Sequence, residues 1–277
     1  MTDQGEASPR SGQRKTIFIT GAASGIGAET ARYFAARDWF VGLYDINTSG
    51  LETVAAEIGG DRCDHGFLDV THRESWAEAA ARFKTTTAGR MDVLFNNAGI
   101  ARFGWFDEVP HDEADRMIDI NVKGVINGVY ASLDMLKATP GARIVNVASM
   151  AGVMGSPTLA VYSATKFAVR GLTESLDVEL KPMDIRATTL MPWFVDTPIL
   201  NSGATGQGNE DFAQHLKDTD AGVYPVSLAA EQAWAAAHGE EVHYRVGKKA
   251  DQAAFAARFF PKRLRRQLGE NMPEREA

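Results

Sequence analysis

Thr16-Ile17-Phe18-Ile19-Thr20-Gly21-Ala22-Ala23-Ser24-Gly25-Ile26-Gly27 is the stretch on which the reading of the fold turns. Its first five residues, rich in β-branched side chains, read as a strand that runs directly into a glycine-rich turn. A helical pattern follows, with Ile26, Tyr33 and Phe34 on one face. Such a turn lets the backbone approach a pyrophosphate closely, while the helix behind it offers unpaired N–H groups and the positive end of its dipole. The same glycines can serve packing alone, so the turn informs chiefly through its neighbours. Its spacing is not the common G-x-G-x-x-G, and no Lys-Ser or Lys-Thr pair follows, which disfavours ATP hydrolysis.

Outward from that stretch the strand-to-helix rhythm repeats. Strands are expected at Thr16–Thr20, Phe40–Tyr44, Gly66–Asp69, Val93–Asn96, Arg143–Ala148, Ile185–Leu190 and Val242–Val246. Several are near-continuous apolar runs, as befits strands covered by helices on both faces. Val161, Ala168, Leu172 and Leu176 form a further stripe at helical spacing. The fold class that follows is α/β, a single-domain, Rossmann-type, doubly wound parallel sheet of about seven strands with helices on both faces. Residues 15–248 would form that domain, with 1–14 a loose leader, 199–222 a substrate loop and 249–277 a helical basic tail. The loop assignment rests on Gly203, Gly206 and Gly208 among polar residues, a composition that a passive surface insertion fits equally. The tail sets Arg258, Lys262, Arg263, Arg265 and Arg266 beside Phe255, Phe259 and Phe260. A solvated helix docked on this or a neighbouring subunit is the favoured reading, and a peripheral amphipathic helix at a membrane surface is the alternative.

Composition narrows the function classes. The 277 residues, 44% hydrophobic and 23% charged, make a globular chain, and the absence of a composition break favours one domain over two. No run of about 18 apolar residues occurs, so no membrane-spanning helix is expected. With 29 basic against 36 acidic residues, the net charge of -7 has the wrong sign for a nucleic-acid partner. Cys63 is the only cysteine, which excludes a disulfide framework within the chain and a cysteine-rich zinc site. The six histidines lack ligand spacing such as H-E-x-x-H, so no metal is expected; His238 and His243 read as surface residues near the last strand. A reducing, cytoplasmic setting fits best.

The second strand ends on Asp45, about 20 residues beyond the glycine turn, where the ribose hydroxyls of a dinucleotide would lie. A carboxylate accepts hydroxyl hydrogen bonds and repels a 2′-phosphate, which favours NAD over NADP; a turn or cap role ahead of Asn47 and Thr48 is the bland alternative. Tyr162 and Lys166 stand four apart at the start of a helical pattern, putting phenol and ammonium on one face. Reducing a carbonyl needs a proton donor, and oxidising an alcohol needs the same group as a base. A phenol has an ordinary pKa of about 10, which a cation within several ångströms is expected to lower by about 1 to 3 pH units. Ser149 follows the fifth strand at the sheet edge where ligands of open α/β folds collect. Alone, a Tyr–Lys pair on a helix is usually an inconsequential surface pair. Its occurrence with the glycine turn, the carboxylate and the strand-end serine in one sheet order gives it weight.

These residues resemble the short-chain dehydrogenase/reductase family over about Lys15 to Gly247. Gly21, Ser24, Gly25, Ile26 and Gly27 match its cofactor turn, and Asp69-Val70 match the position that holds the adenine ring. Asn96-Asn97-Ala98-Gly99 match its fourth-strand motif, and Asn121, Ser149, Tyr162 and Lys166 match its catalytic tetrad. The resemblance implies Tyr162 as general acid/base, Ser149 steadying the substrate, and Lys166 holding the nicotinamide ribose while lowering the tyrosine pKa. It implies that Asn121 anchors a water in a proton relay, that the pro-S hydride of a nicotinamide is transferred, and that subunits form tetramers through the helices carrying Asn121 and Tyr162; a homotetramer or homodimer is therefore expected. Pro192, Val195 and Thr197 fit the nicotinamide-carboxamide positions, but Pro192-Trp193 stands where the family usually has Pro-Gly, which puts an indole beside the reaction centre.

By the same analogy the substrate pocket is lined by Ile100, Phe103, Met150, Met154, Trp193, Phe194 and Leu200. An apolar wall favours a small-molecule secondary alcohol or ketone of aromatic, alicyclic or steroid-like kind. Arg102 keeps an acidic substrate open as a minority reading. Two other functions are weighed: an acyl-thioester 3-ketoreductase, opposed by the net acidity and Asp45, and a non-catalytic NAD-binding scaffold, opposed by the complete tetrad.

Overall fold

Seven parallel strands hydrogen-bond in the order β3-β2-β1-β4-β5-β6-β7. They are β1 Thr16–Thr20, β2 Phe40–Asp45, β3 Cys63–Phe67, β4 Val93–Asn96, β5 Arg143–Val147, β6 Arg186–Pro192 and β7 His243–Val246. The computed structural model describes residues 14–201, Leu216 and residues 222–270. Residues 1–13 of the expected leader, most of the expected 199–222 loop and the last seven residues of the tail lie outside that set.

Alternation along each strand sends side chains to opposite faces. Ile17 and Ile19 therefore pack against α1 (Gly25–Ala35), α2 (Thr48–Ile58) and α7 (Val226–His238). Phe18, between them, points to the other layer, formed with α3 (Arg73–Thr86), α5 (Gly124–Lys137) and α6 (Ala160–Leu180). Phe18 lies under Tyr44 with ring centroids 4.2 Å apart and meets Trp76 at 5.6 Å. All of β1 is buried, which is why it reads as a continuous apolar run. A short helix, α4 (His111–Ile118), leads through a π-helical turn, Asp119–Lys123, into α5. After β7 come α8 (Lys248–Phe259) and α9 (Pro261–Glu270). No described helix is long and apolar enough to cross a membrane.

Three expectations are corrected. β3 spans Cys63–Phe67 and not Gly66–Asp69, because pairing with β2 runs from Val41–Cys63 to Asp45–Phe67. As an edge strand with only Cys63 fully buried it lacks the apolar signature of the inner strands. The line of α6 that faces inward is only in part the expected Val161, Ala168, Leu172 and Leu176, of which Leu172 and Leu176 pack partly buried against the core. Ala168 is exposed, and the buried set is Ser163, Thr165, Lys166, Val169, Thr173, Asp177 and Leu180. Polar residues are tolerated there because they are paired. Asn146 Nδ2 donates to Thr173 Oγ1 at 2.9 Å, and Asp177 accepts from Arg186 Nε at 2.8 Å. His243, finally, is not a surface residue: half-buried, it sits 2.8 Å from Thr189 Oγ1 and 3.0 Å from Glu174.

Candidate active site

The strand order reverses between β1 and β4, so the loops leaving their carboxyl ends diverge and open a crevice. A cleft of about 820 Å³ occupies it, lined from the ends of β1, β2, β4, β5 and β6. At one end Gly21, Ser24, Gly25 and Ile26 line the wall where α1 begins. Gly21 has φ +66° and Gly25 φ +54°, left-handed values that side-chain-bearing residues rarely adopt. A Cβ on Gly21 would come within 2.9 Å of Ala98 Cα, so the first turn and the segment after β4 touch backbone to backbone. Thr20 and Asn97 lock that contact: Asn97 N and Ala98 N both donate to Thr20 Oγ1 at 3.0 Å, and Asn97 Nδ2 donates to Thr20 O at 2.9 Å. Gly27 stands behind the turn, off the cleft wall, where a Cβ would fall 2.1 Å from Gly21 O.

These features fit a dinucleotide. Two glycines of the turn, Gly21 and Gly25, line the cleft without side chains, and the first turn of α1 carries no acidic residue to oppose an anion at its dipole. Asp45 lines the cleft at the end of β2, its carboxylate braced by Ala23 N at 3.1 Å and Asn47 N at 2.9 Å. Asp69, Val70, Asn97, Ala98 and Gly99 also line it. Burial works to raise the Asp69 pKa, but hydrogen bonds from Thr71 N and Oγ1 at 2.9 and 2.7 Å, with His72 alongside, outweigh it and leave the group below its ordinary value. Pro192, Val195 and Thr197 line the wall after β6. Trp193 there keeps a negative φ, so the turn asks nothing of the backbone that only glycine can supply.

Ser149, Tyr162 and Lys166 meet in the middle of the cleft. Ser149 precedes a 3-10 turn, Met150–Gly152, and its Oγ accepts from Ala151 N at 3.1 Å while its side chain is hydrogen-bonded to Tyr162. Lys166 Nζ donates to Val147 O at 2.9 Å and lies 5.5 Å from the Tyr162 ring centre. Burial opposes the expected depression of the tyrosine by the lysine. Burial pushes the Tyr162 phenol up to about 12, and the Ser149 hydrogen bond only partly offsets it. Burial also pulls Lys166 down to about 8. The cause is shared: burial disfavours the charged form of each group.

Asn121 belongs to the same cluster but does not line the cleft. Buried in the π-helical turn, it accepts from Ile100 N and donates to Ile100 O, both at 2.9 Å, and donates to Thr165 Oγ1 at 3.1 Å. Its amide therefore pins the segment after β4 to α6, the helix that carries Tyr162. Ile100, Phe103, Met150, Met154, Trp193, Phe194 and Leu200 all line the cleft, as expected, whereas Arg102 does not. Ala101, Phe103 and Leu159 form a small buried cluster against Tyr162 and Ile199.

Sequence reasoning missed one part of the wall. Asp112, Asp115 and Asp119, with Arg116 among them, face the cleft from α4 and the turn after it. Their i, i+3, i+7 spacing was a readable signal, hidden because an acidic stripe on a short helix usually meets only solvent.

The model of the short chain dehydrogenase family matches residues 15–208. Oxidoreductase UcpA of Salmonella typhimurium is 39% identical over 221 residues, covering 78% of this chain and 82% of that protein. A 3-alpha-(or 20-beta)-hydroxysteroid dehydrogenase of Mycobacterium bovis is 37% identical over 185 residues, covering 67% of this chain and 70% of the other. Among solved structures, a 3-ketoacyl-(acyl-carrier-protein) reductase of Brucella melitensis complexed with NADH superposes with a TM-score of 0.74 at 29% identity, over 84% of this chain and 96% of that one.

Proposed function

The chain belongs to the short-chain dehydrogenase family of oxidoreductases, and from that premise we propose that it is an NAD-dependent enzyme interconverting a hydrophobic secondary alcohol and its ketone. One observation carries the proposal: Tyr162 lines the same cleft as the glycine turn and an apolar wall. Gly21, Ser24, Gly25 and Ile26 would hold the pyrophosphate, Asp45 the adenine ribose, Asp69 and Val70 the adenine, and Lys166 with Val195 and Thr197 the nicotinamide end. Bound there, the dinucleotide supplies the hydride acceptor or donor. The protein's share is the proton. Ser149 holds the carbonyl oxygen, Tyr162 donates its proton to that oxygen in reduction and takes it back in oxidation, and Asn121 keeps α6 in register. A phenol held near 12 is almost wholly protonated at neutral pH and so is ready as the acid for reduction.

The neighbouring hydroxysteroid dehydrogenase favours an apolar alicyclic substrate. The similarity to a 3-ketoacyl reductase favours the second reading, a thioester 3-ketoreductase. The carboxylates of Asp112 and Asp115 on the cleft wall speak against it, since a phosphopantetheine arm brings negative charge of its own, whereas Asp119 is already paired with Lys123 at 2.6 Å. The exposure of Tyr130 and Val178, 76% and 73%, supports assembly as a homotetramer or homodimer through α5 and α6. A cytoplasmic location and the division into leader, catalytic domain 15–248 and tail are part of the same proposal. The test is a spectrophotometric panel of cyclic ketones, steroid ketones and acetoacetyl thioesters with NADH and NADPH. Oxidation of NADH with the apolar ketones is expected; NADH binding with no oxidation across the panel would mean a scaffold.

Two variants probe the pocket's ends. Asp45→Ala should narrow the preference for NAD over NADP by about 10- to 100-fold, the worth of a charged hydrogen bond to a ribose hydroxyl. An unchanged ratio of kcat/KM values would put cofactor choice elsewhere. Trp193 packs edge-on to Phe194, with ring centres 5.5 Å apart. Trp193→Gly should change the relative kcat/KM of small and bulky ketones by at least about tenfold. An unchanged ranking would reduce the indole to a filler of packing space.

A further inference from the structure

The C-terminal helices carry groups that the proposed reaction does not use. The inner face of α8 is buried at Ala250 and Ala253, in one cluster with Met150 and Met191 and against Trp193, the apolar wall of the cleft. Outward it presents Phe255 and Phe259, one helical turn apart, and Phe260 follows at the break before α9. These rings are 58%, 57% and 53% exposed and touch one another, with centroids 4.8 Å apart for Phe255 and Phe259 and 6.0 Å for Phe255 and Phe260. Single exposed apolar residues are ordinary, but a contiguous aromatic patch marks a contact surface.

Basic residues frame the patch. The Arg258 guanidinium lies 5.6 Å from the Phe259 ring centre, and Lys262, Arg263, Arg265 and Arg266 follow on α9, a helix with no fully buried residue. Leu264 and Leu268, four apart and half-buried, form its apolar stripe. Over residues 248–270 seven Lys or Arg accompany two acidic residues, the reverse of the whole chain's 29 to 36.

We propose that α8 and α9 form a docking surface for an anionic lipid bilayer, the three phenyl rings entering the interface and the basic residues meeting headgroup phosphates. Charge complementarity selects this occupant. A second copy meeting this patch about a two-fold axis would set its five basic side chains against the same five. A neutral bilayer would leave them uncompensated, and the acidic body is repelled by anionic lipid, so among the described residues attachment runs through this patch. Because the inner face of α8 backs the cleft's apolar wall, docking brings the proposed site of ketone chemistry next to the phase in which apolar ketones dissolve. The surface itself does not rest on that chemistry.

The test is flotation of the full chain with vesicles of phosphatidylcholine alone and of phosphatidylcholine with about a third phosphatidylglycerol, at low and high salt. Binding only to the anionic vesicles, weakened by salt, is expected. Arg263→Gln/Arg265→Gln/Arg266→Gln should lower partitioning by about a hundredfold, near fivefold per charge. Phe255→Ser/Phe259→Ser/Phe260→Ser should lower it by at least about tenfold, with ketone reduction in solution retained as evidence of folding. Equal binding to neutral and anionic vesicles, or none to either, would overturn the proposal. So would a phenylalanine-dependent affinity for poly(U) that exceeds the affinity for vesicles, or phenylalanine variants that dissociate an oligomer in light scattering while vesicle binding persists. Each of these outcomes leaves the oxidoreductase reading standing, since activity is measured separately.

Discussion

Tyr162→Phe is expected to lower ketone reduction by about 10²- to 10⁴-fold, the range for loss of a positioned general acid. The ring keeps its place against Ala101, Phe103 and Leu159, so packing survives and only the hydroxyl, with its Ser149 hydrogen bond, is lost. NADH affinity, measured by fluorescence titration, should stay within a few-fold of wild type. The effect should fall on kcat more than on KM, because the proton is needed in the transition state and not for binding. Full activity in the variant would remove Tyr162 from the chemistry, and joint loss of activity and NADH binding would indicate a disturbed fold.

Gly27→Ala should act by another route with a comparable loss. The added methyl would lie 2.1 Å from Gly21 O and 2.7 Å from Asn97 Nδ2, separations that no relaxation of a flexible side chain can relieve, because the first contact is backbone. Overpacking of this kind costs about 1–3 kcal/mol or more. At about 2–4 °C per kcal/mol for a chain of this size, thermal unfolding should fall by several degrees. The turn at Gly21 must also shift, so NADH should fail to bind at concentrations that saturate the wild type. Gly60→Ala is the control, since a Cβ at Gly60 meets nothing within 4 Å. Equal behaviour of the two variants would mean that the turn tolerates displacement and that its geometry does not set cofactor binding.

What could be read in the sequence follows from how each signal arises. Inner strands such as β1 and β4 are buried on both faces, so their hydrophobic runs and positions were legible. The edge strand β3 carries Asp64 and His65 and was misplaced by a few residues for that reason. The polar inner line of α6 was illegible because Thr173 and Asp177 are satisfied by partners distant in sequence, Asn146 and Arg186. The tetrad and the glycine turn were found through spacing and order, which survive without coordinates. The ionisation of Tyr162 is only half legible, because spacing reports that an ammonium is near and says nothing of burial, which works the other way. The acidic wall from α4 shows the same limit, since only the fold turns that helix toward the cleft.

In the proposed reaction burial keeps the Tyr162 phenol protonated for delivery to a carbonyl oxygen, and the pH dependence of kcat/KM for ketone reduction at saturating NADH reads that proton out. As pH rises, the Lys166 ammonium is lost first, near 8, and the phenol only near 12. Because Lys166 is proposed to hold the nicotinamide end of the cofactor, reduction should hold level through the neutral range and weaken above about 8 through cofactor positioning, not through loss of the phenol's proton. A loss centred near 6.5, the ordinary value of an imidazole, would contradict the account by assigning the proton to a histidine.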